Sequence, residues 1–106
     1  MTEPVYRRVA AVSEIAVGEM LSVALEDRDL LICHLAEGFF AFDDQCSHAD
    51  ARLSEGRLRG HRILCPLHGA AFDVRDGSVL SKPAVRPLEL YDVRVSGEDI
   101  LVALTD

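Results

Sequence analysis

Apolar residues along this chain fall in short runs, each closed by Gly, Asp or Ser, and almost no segment repeats with the 3.6-residue period of a helix. Residues 5–12, 20–25, 30–35 and 39–43 read as strands, with a polar hairpin turn at 26–29. A further turn at 14–19 has room for one helical turn. Later runs at 56–65, 70–74, 88–95 and 100–104 are divided by the turn signals Arg75-Asp76-Gly77-Ser78 and Ser96-Gly97-Glu98-Asp99. Many short strands separated by short turns predict an all-β sandwich or barrel. From about Asp43 to Ala84 the strands shorten and the loops lengthen, so this stretch is expected to be a small subdomain inserted into the β framework.

A chain of 106 residues is the size of one domain, and residues 1–106 are read as one. Apolar residues make up 49% and aromatics 6%, with no Trp, which places the core on Val, Leu and Ala. The formal charge of −7 repels phosphate backbones, arguing against nucleic acid, and would draw in a partner with a basic face. No signal peptide and no run of about 20 apolar residues is visible, so no membrane role is expected and the cytoplasm is the expected compartment. Thiols stay reduced there, and closely spaced cysteines more often hold metal or do redox work than form disulfides.

The chemistry concentrates in two pairs, Cys46-x-His48 and Cys65-x-x-His68. Thiolate and neutral imidazole are ligands for borderline-soft metals. A gap of one or two residues lets one tight turn aim both side chains at a point, and two such turns at the tips of adjacent hairpins could face each other across a metal. A Cys₂His₂ zinc site, as in a small interaction module, has this inventory. A Rieske [2Fe–2S] centre has it too, with two Cys on one iron and two His on the other.

The segments CSHADARLSEG (46–56) and CPLHGAAFDVRDG (65–77) resemble the two cluster-binding boxes of the Rieske family, and the flanking framework is similar to its small soluble ferredoxins. Among these the resemblance is to ferredoxin components of bacterial aromatic-ring dioxygenase systems. The resemblance implies one [2Fe–2S] cluster held by Cys46, His48, Cys65 and His68, the cysteines on the inner iron and the histidines on the outer. It implies an electron-transfer component rather than an enzyme, loaded by a flavoprotein NAD(P)H reductase and discharged by a terminal oxygenase. The small Rieske-like subunit of another redox enzyme, such as a nitrite reductase, is the alternative. Gly69 is expected to let the backbone approach the cluster, Pro66 to stiffen its loop, and Lys82-Pro83-Ala84 to form a third, covering loop.

High-potential members carry an extra Cys in each box and use Ser and Tyr hydroxyls on the cluster and ligand sulfurs. The corresponding residues here are Ala51 and Leu67, then Ala70 and Phe72. Without those hydrogen bonds the potential is expected near the low end of the class range of roughly −150 to +300 mV. Asp43, Asp44 and Asp50 are candidate docking acids, and Arg52, Arg57, Arg59 and Arg62 form a basic minority beside them. Cys33 is expected to be a buried thiol, and His34 and His61 to be surface or core-edge residues rather than ligands.

Overall fold

The alternating runs do become strands. The computed structural model describes residues 5–46, 51–67, 69–82 and 86–104, and among them are ten strands, two single 3₁₀ turns and no α-helix. The strands are β1 Tyr6–Ala11, β2 Met20–Leu25, β3 Arg28–Leu35, β4 Gly38–Asp43, β5 Arg57–Arg59, β6 Arg62–Leu64, β7 Ala71–Asp73, β8 Val79–Ser81, β9 Leu90–Ser96 and β10 Asp99–Ala103. Six form an antiparallel sheet in the order β1-β10-β9-β4-β3-β2, with its edge strands β1 and β2 close enough to make it nearly a barrel. The other four form a small antiparallel sheet, β5-β6-β7-β8.

Strand β3 explains how the two sheets share one molecule. Its run LLICHL does not alternate, because both of its faces are covered. Leu30 and Ile32 point into a core inside the large sheet with Ile15, Ala41, Ile100 and Val102. Leu31, Cys33 and Leu35 point the other way, into a second core with Phe42, Ile63 and Phe72. That second core lies between the two sheets, and Cys46 and Cys65 belong to it.

Three details depart from the expectation. The run 56–65 folds back at Gly60 (φ +59°) into the hairpin β5–β6, pairing Arg57 with Leu64 and Arg59 with Arg62. The helical turn expected within 14–19 is a 3₁₀ turn one step earlier, at Val12–Glu14. Its place is fixed by the Glu14 carboxylate, which accepts the Ala11 amide at 2.7 Å. Strand β8 was not foreseen; with three residues ahead of a Lys-Pro pair it is too short to leave a periodic signal.

Candidate metal centre

Each cysteine starts a loop that a backbone hydrogen bond closes in the same way. The Cys46 amide donates to the Ala51 carbonyl at 2.9 Å, and the Cys65 amide donates to the Ala70 carbonyl at 2.7 Å. Both closures span five residues. The loops differ in what they join. The second is the tip of the β6–β7 hairpin, as expected, but the first is not a hairpin tip: it carries the chain from β4 in the large sheet to β5 in the small one.

The two thiols meet at the base of these loops. Both cysteines are buried, at 3% exposure, and both are free. Burial pushes the Cys65 thiol above its ordinary pKa, and a hydrogen bond with Cys46 pushes the same way. The Leu67 amide, donating to the Cys65 sulfur, pulls in the opposite direction, as a donor that favours thiolate must. Two sulfurs in contact inside an apolar core, one already met by an amide, fit the thiolate half of a metal centre. His48 and His68, the other expected ligands, lie outside the described residues, as do Asp50 and Pro83.

The first loop is held by a group whose role the sequence did not disclose. Asp44, expected as a docking acid, is instead buried at 4% exposure. Its carboxylate accepts the Ser22 hydroxyl at 2.9 Å, the Ser54 amide at 2.7 Å and the Ser54 hydroxyl at 2.6 Å. Arg52 donates to it through Nε at 3.2 Å and Nη2 at 3.0 Å. Burial alone would raise this carboxyl's pKa, but the donors from Ser54, Ser22 and Arg52 outweigh it and hold the group below its ordinary value. Asp44 therefore ties strand β2 to both ends of the loop that carries Cys46. Arg52, which also pairs with Asp29 at 3.5 Å, belongs to this structure rather than to an exposed basic patch. A polar residue two places before a cysteine looks like any loop acid; only the fold brings Ser22 to it.

The turn that follows β7 is held by Asp73, which receives Arg75 in a two-pronged contact, Nε at 3.0 Å and Nη2 at 2.7 Å. The Arg75 side chain, above all, lowers this carboxyl from 3.8 to about 2. A depressed folded-state pKa gives stability that is complete above the unfolded value and is lost as pH falls through the folded one. The stability difference between wild type and Asp73→Asn is therefore expected to be largest above pH 4 and to shrink toward pH 2. Urea unfolding at pH 5, 3.5 and 2.5 measures it; a difference that does not change with pH would contradict the assignment.

The remaining residues are placed as follows. Cys33 is fully buried, its thiol pushed up to about 12 by burial, so it packs as a small apolar side chain. His34 is half-buried, its Nδ1 2.7 Å from the Ile15 carbonyl and its ring stacked on Phe39. His61 is partly exposed, with Nε2 3.9 Å from Asp73. Gly69 has φ +71°, and a Cβ there would meet no described atom. The left-handed backbone is itself a reason for glycine here. Ala70 and Phe72 are fully buried and bring no hydroxyl to the sulfurs.

Two β-sheets that bury a pair of thiols in the core between them define an all-β protein with a candidate thiolate metal centre. The particular family follows from comparison with known proteins. The Rieske [2Fe–2S] domain matches residues 6–102, and this chain belongs to that family. It is 40% identical over 97 residues to the ferredoxin component of biphenyl 2,3-dioxygenase from Rhodococcus jostii RHA1, covering 92% of this chain and 91% of the relative. Among solved structures it is similar to the ferredoxin of carbazole 1,9a-dioxygenase from Nocardioides aromaticivorans IC177 (TM-score 0.87, 34% identity, 98% and 100% of the two chains). It also resembles a chain in a complex of reduced oxygenase and oxidised ferredoxin in carbazole 1,9a-dioxygenase (TM-score 0.88, 34% identity, 95% and 94%). The chain accordingly carries one Rieske [2Fe–2S] cluster and is an electron-transfer component rather than a catalytic subunit.

Proposed function

We propose that this chain is the mobile carrier of an aromatic-ring dioxygenase system in the cytoplasm. It takes one electron from an NAD(P)H-dependent flavoprotein reductase and delivers it to a terminal Rieske oxygenase. The observation that carries this reading is the buried, mutually hydrogen-bonded pair Cys46 and Cys65 in a chain so similar, end to end, to dioxygenase ferredoxins. Among the described residues no helix is long and apolar enough to cross a membrane.

When bound, the cluster supplies a single one-electron couple. Cys46 and Cys65 would hold it as thiolates, and His48 and His68 through their imidazoles. The Leu67 amide stabilises negative charge on the Cys65 sulfur. Ala70 and Phe72 add no hydroxyl donor, so the chain leaves the reduced, more negative state less stabilised, which keeps the potential low.

Two measurements test this reading. Redox titration is expected to give a midpoint below zero; a value well above zero would overturn the argument from the missing hydroxyls. Reconstituted turnover joins a flavoprotein reductase, this protein and candidate aromatic-ring oxygenases, beginning with that of the Rhodococcus jostii biphenyl system. Product is expected only when this protein is present and cluster-loaded. A loaded protein that no reductase reduces, or whose Cys65→Ser variant supports the same turnover, would overturn the carrier role.

A further inference from the structure

Opposite residues in an antiparallel ladder exchange two hydrogen bonds at every second position. Cys65 and Ala70 face each other in this way, one step beyond the pair Leu64 and Ala71 at the end of the β6–β7 ladder. Only half of the exchange is made: the Cys65 amide donates to the Ala70 carbonyl at 2.7 Å, and among the described residues nothing accepts the Ala70 amide. Ala70 is fully buried. A buried amide without an acceptor costs about as much as a lost hydrogen bond, so such groups are rare. A ladder residue presents its amide and carbonyl on the same side, so the Ala70 amide faces the Cys65 side of the loop.

The peptide unit that carries this amide is held from its other end. The Gly69 carbonyl and the Ala70 amide belong to one planar trans unit and point in opposite directions. The Ser81 hydroxyl donates to the Gly69 carbonyl at 3.2 Å. Ser81 lies on β8, on the opposite side of β7 from β6. A carbonyl drawn toward β8 therefore turns the amide toward β6 and Cys65. Ser81 reaches this place through a bulge: β8 pairs Val79 with Phe72 and Ser81 with Ala71, which leaves Leu80 as an extra, exposed residue. Bulges re-aim side chains and are common beside functional sites. The bond itself is long and exposed, so the fold gains little from it.

We propose that Ser81 is a positioning residue for the electron-transfer centre: by holding the Gly69 carbonyl it aims the buried Ala70 amide at sulfur on the Cys65 side of the centre. This inference rests on Cys65 being a cluster ligand, as proposed above. A hydrogen bond to sulfur stabilises the reduced, more negative state. Residue 70 has no hydroxyl to give, so its main chain supplies the donor, beside the Leu67 amide that already meets the Cys65 sulfur. Ser81 acts only through the peptide unit between Gly69 and Ala70.

The test compares cluster-loaded wild type with Ser81→Ala, Ser81→Val and Ser81→Thr. Valine and threonine have nearly the same shape and differ in the hydroxyl. In redox titrations the reduction equilibrium is expected to be about two- to threefold less favourable in the alanine and valine variants, a midpoint about 20–30 mV lower at about 59 mV per tenfold. The g-values of the reduced EPR spectrum should shift in the same two variants, and threonine should match wild type in both measurements. Thermal melts of all four proteins are expected to agree, which separates positioning from a general loosening of the loop. Wild-type midpoints in the alanine and valine variants would overturn the inference, and so would higher midpoints or a threonine variant that behaves like valine. A wild type without a Rieske EPR signal would overturn the ligand assignment, and this inference with it. Neither measurement uses a partner protein, so a failure of reconstituted turnover is a separate result that bears on the carrier reading alone.

Discussion

Asp44→Ala is expected to cost about 3–5 kcal/mol of folding stability, the usual effect of removing one partner from a buried charged network. The side chain is fully shielded from solvent, and five hydrogen bonds from three residues converge on its two oxygens. Truncation strands the Ser54 amide and the protons of both serine hydroxyls, and leaves Arg52 with its hydrogen bond to the Ser22 oxygen and the longer contact to Asp29. Domains of this size are held by about 5–15 kcal/mol in total, so the variant should melt on the order of 15 °C lower. Asp44→Asn keeps the shape but turns an amine toward donors, and should cost roughly 1–3 kcal/mol. Because Asp44 binds the loop of Cys46 at both ends, Asp44→Ala should also be purified with less iron and sulfide per chain. Denaturant unfolding and elemental analysis check the two effects; a loss under 1 kcal/mol would show that the network is dispensable.

Gly56→Ala should be comparably severe for a different reason. Its φ of −88° is open to any residue, so backbone strain is not the obstacle. A Cβ would stand 1.8 Å from the Leu64 carbonyl oxygen and 3.0 Å from its carbon. Those are backbone atoms of β6, fixed in register with Arg57 and immediately ahead of Cys65. The hairpin has to separate, and a cost of about 3 kcal/mol or more is expected, at the upper end for overpacking. Gly97→Ala is the control: φ is +60° but the space is open, so only the left-handed conformation is penalised, at about 1 kcal/mol. Thermal melts of the two variants should differ widely, and equal melts would contradict the steric argument.

What could be read from the sequence depended on whether its cause was local. The hairpin turn after Leu25 showed because polar residues interrupt two apolar runs, and it forms with Glu26 at φ +58°. Both cysteines stood out as candidate ligands because ligand chemistry restricts residue type. Phe72 and Ala70 could be read as missing hydroxyls because they stand at fixed steps from Cys65. Asp44 could not be read, since its environment comes from Ser22 on β2 and from Ser54 on the far side of the loop. The sequence shows an acid near a cysteine, and exposed acids are far commoner than buried ones. Gly56 was silent for the same reason: the atom that forbids a side chain is contributed by a later strand. The arginines of β5 and β6 were visible as a group, but only strand pairing shows that three share a face while Arg52 is committed elsewhere.

The first loop passes between sheets whereas the second stays within one. Cys46 is therefore delivered by the end of β4 and Cys65 by the end of β6, and no single sheet owns both sulfurs. The pair exists only after the two layers have docked through Leu31, Phe42, Ile63 and Phe72. A cluster held by both sulfurs would be a rivet across the layer boundary, and its loss would unfasten a seam rather than merely empty a socket.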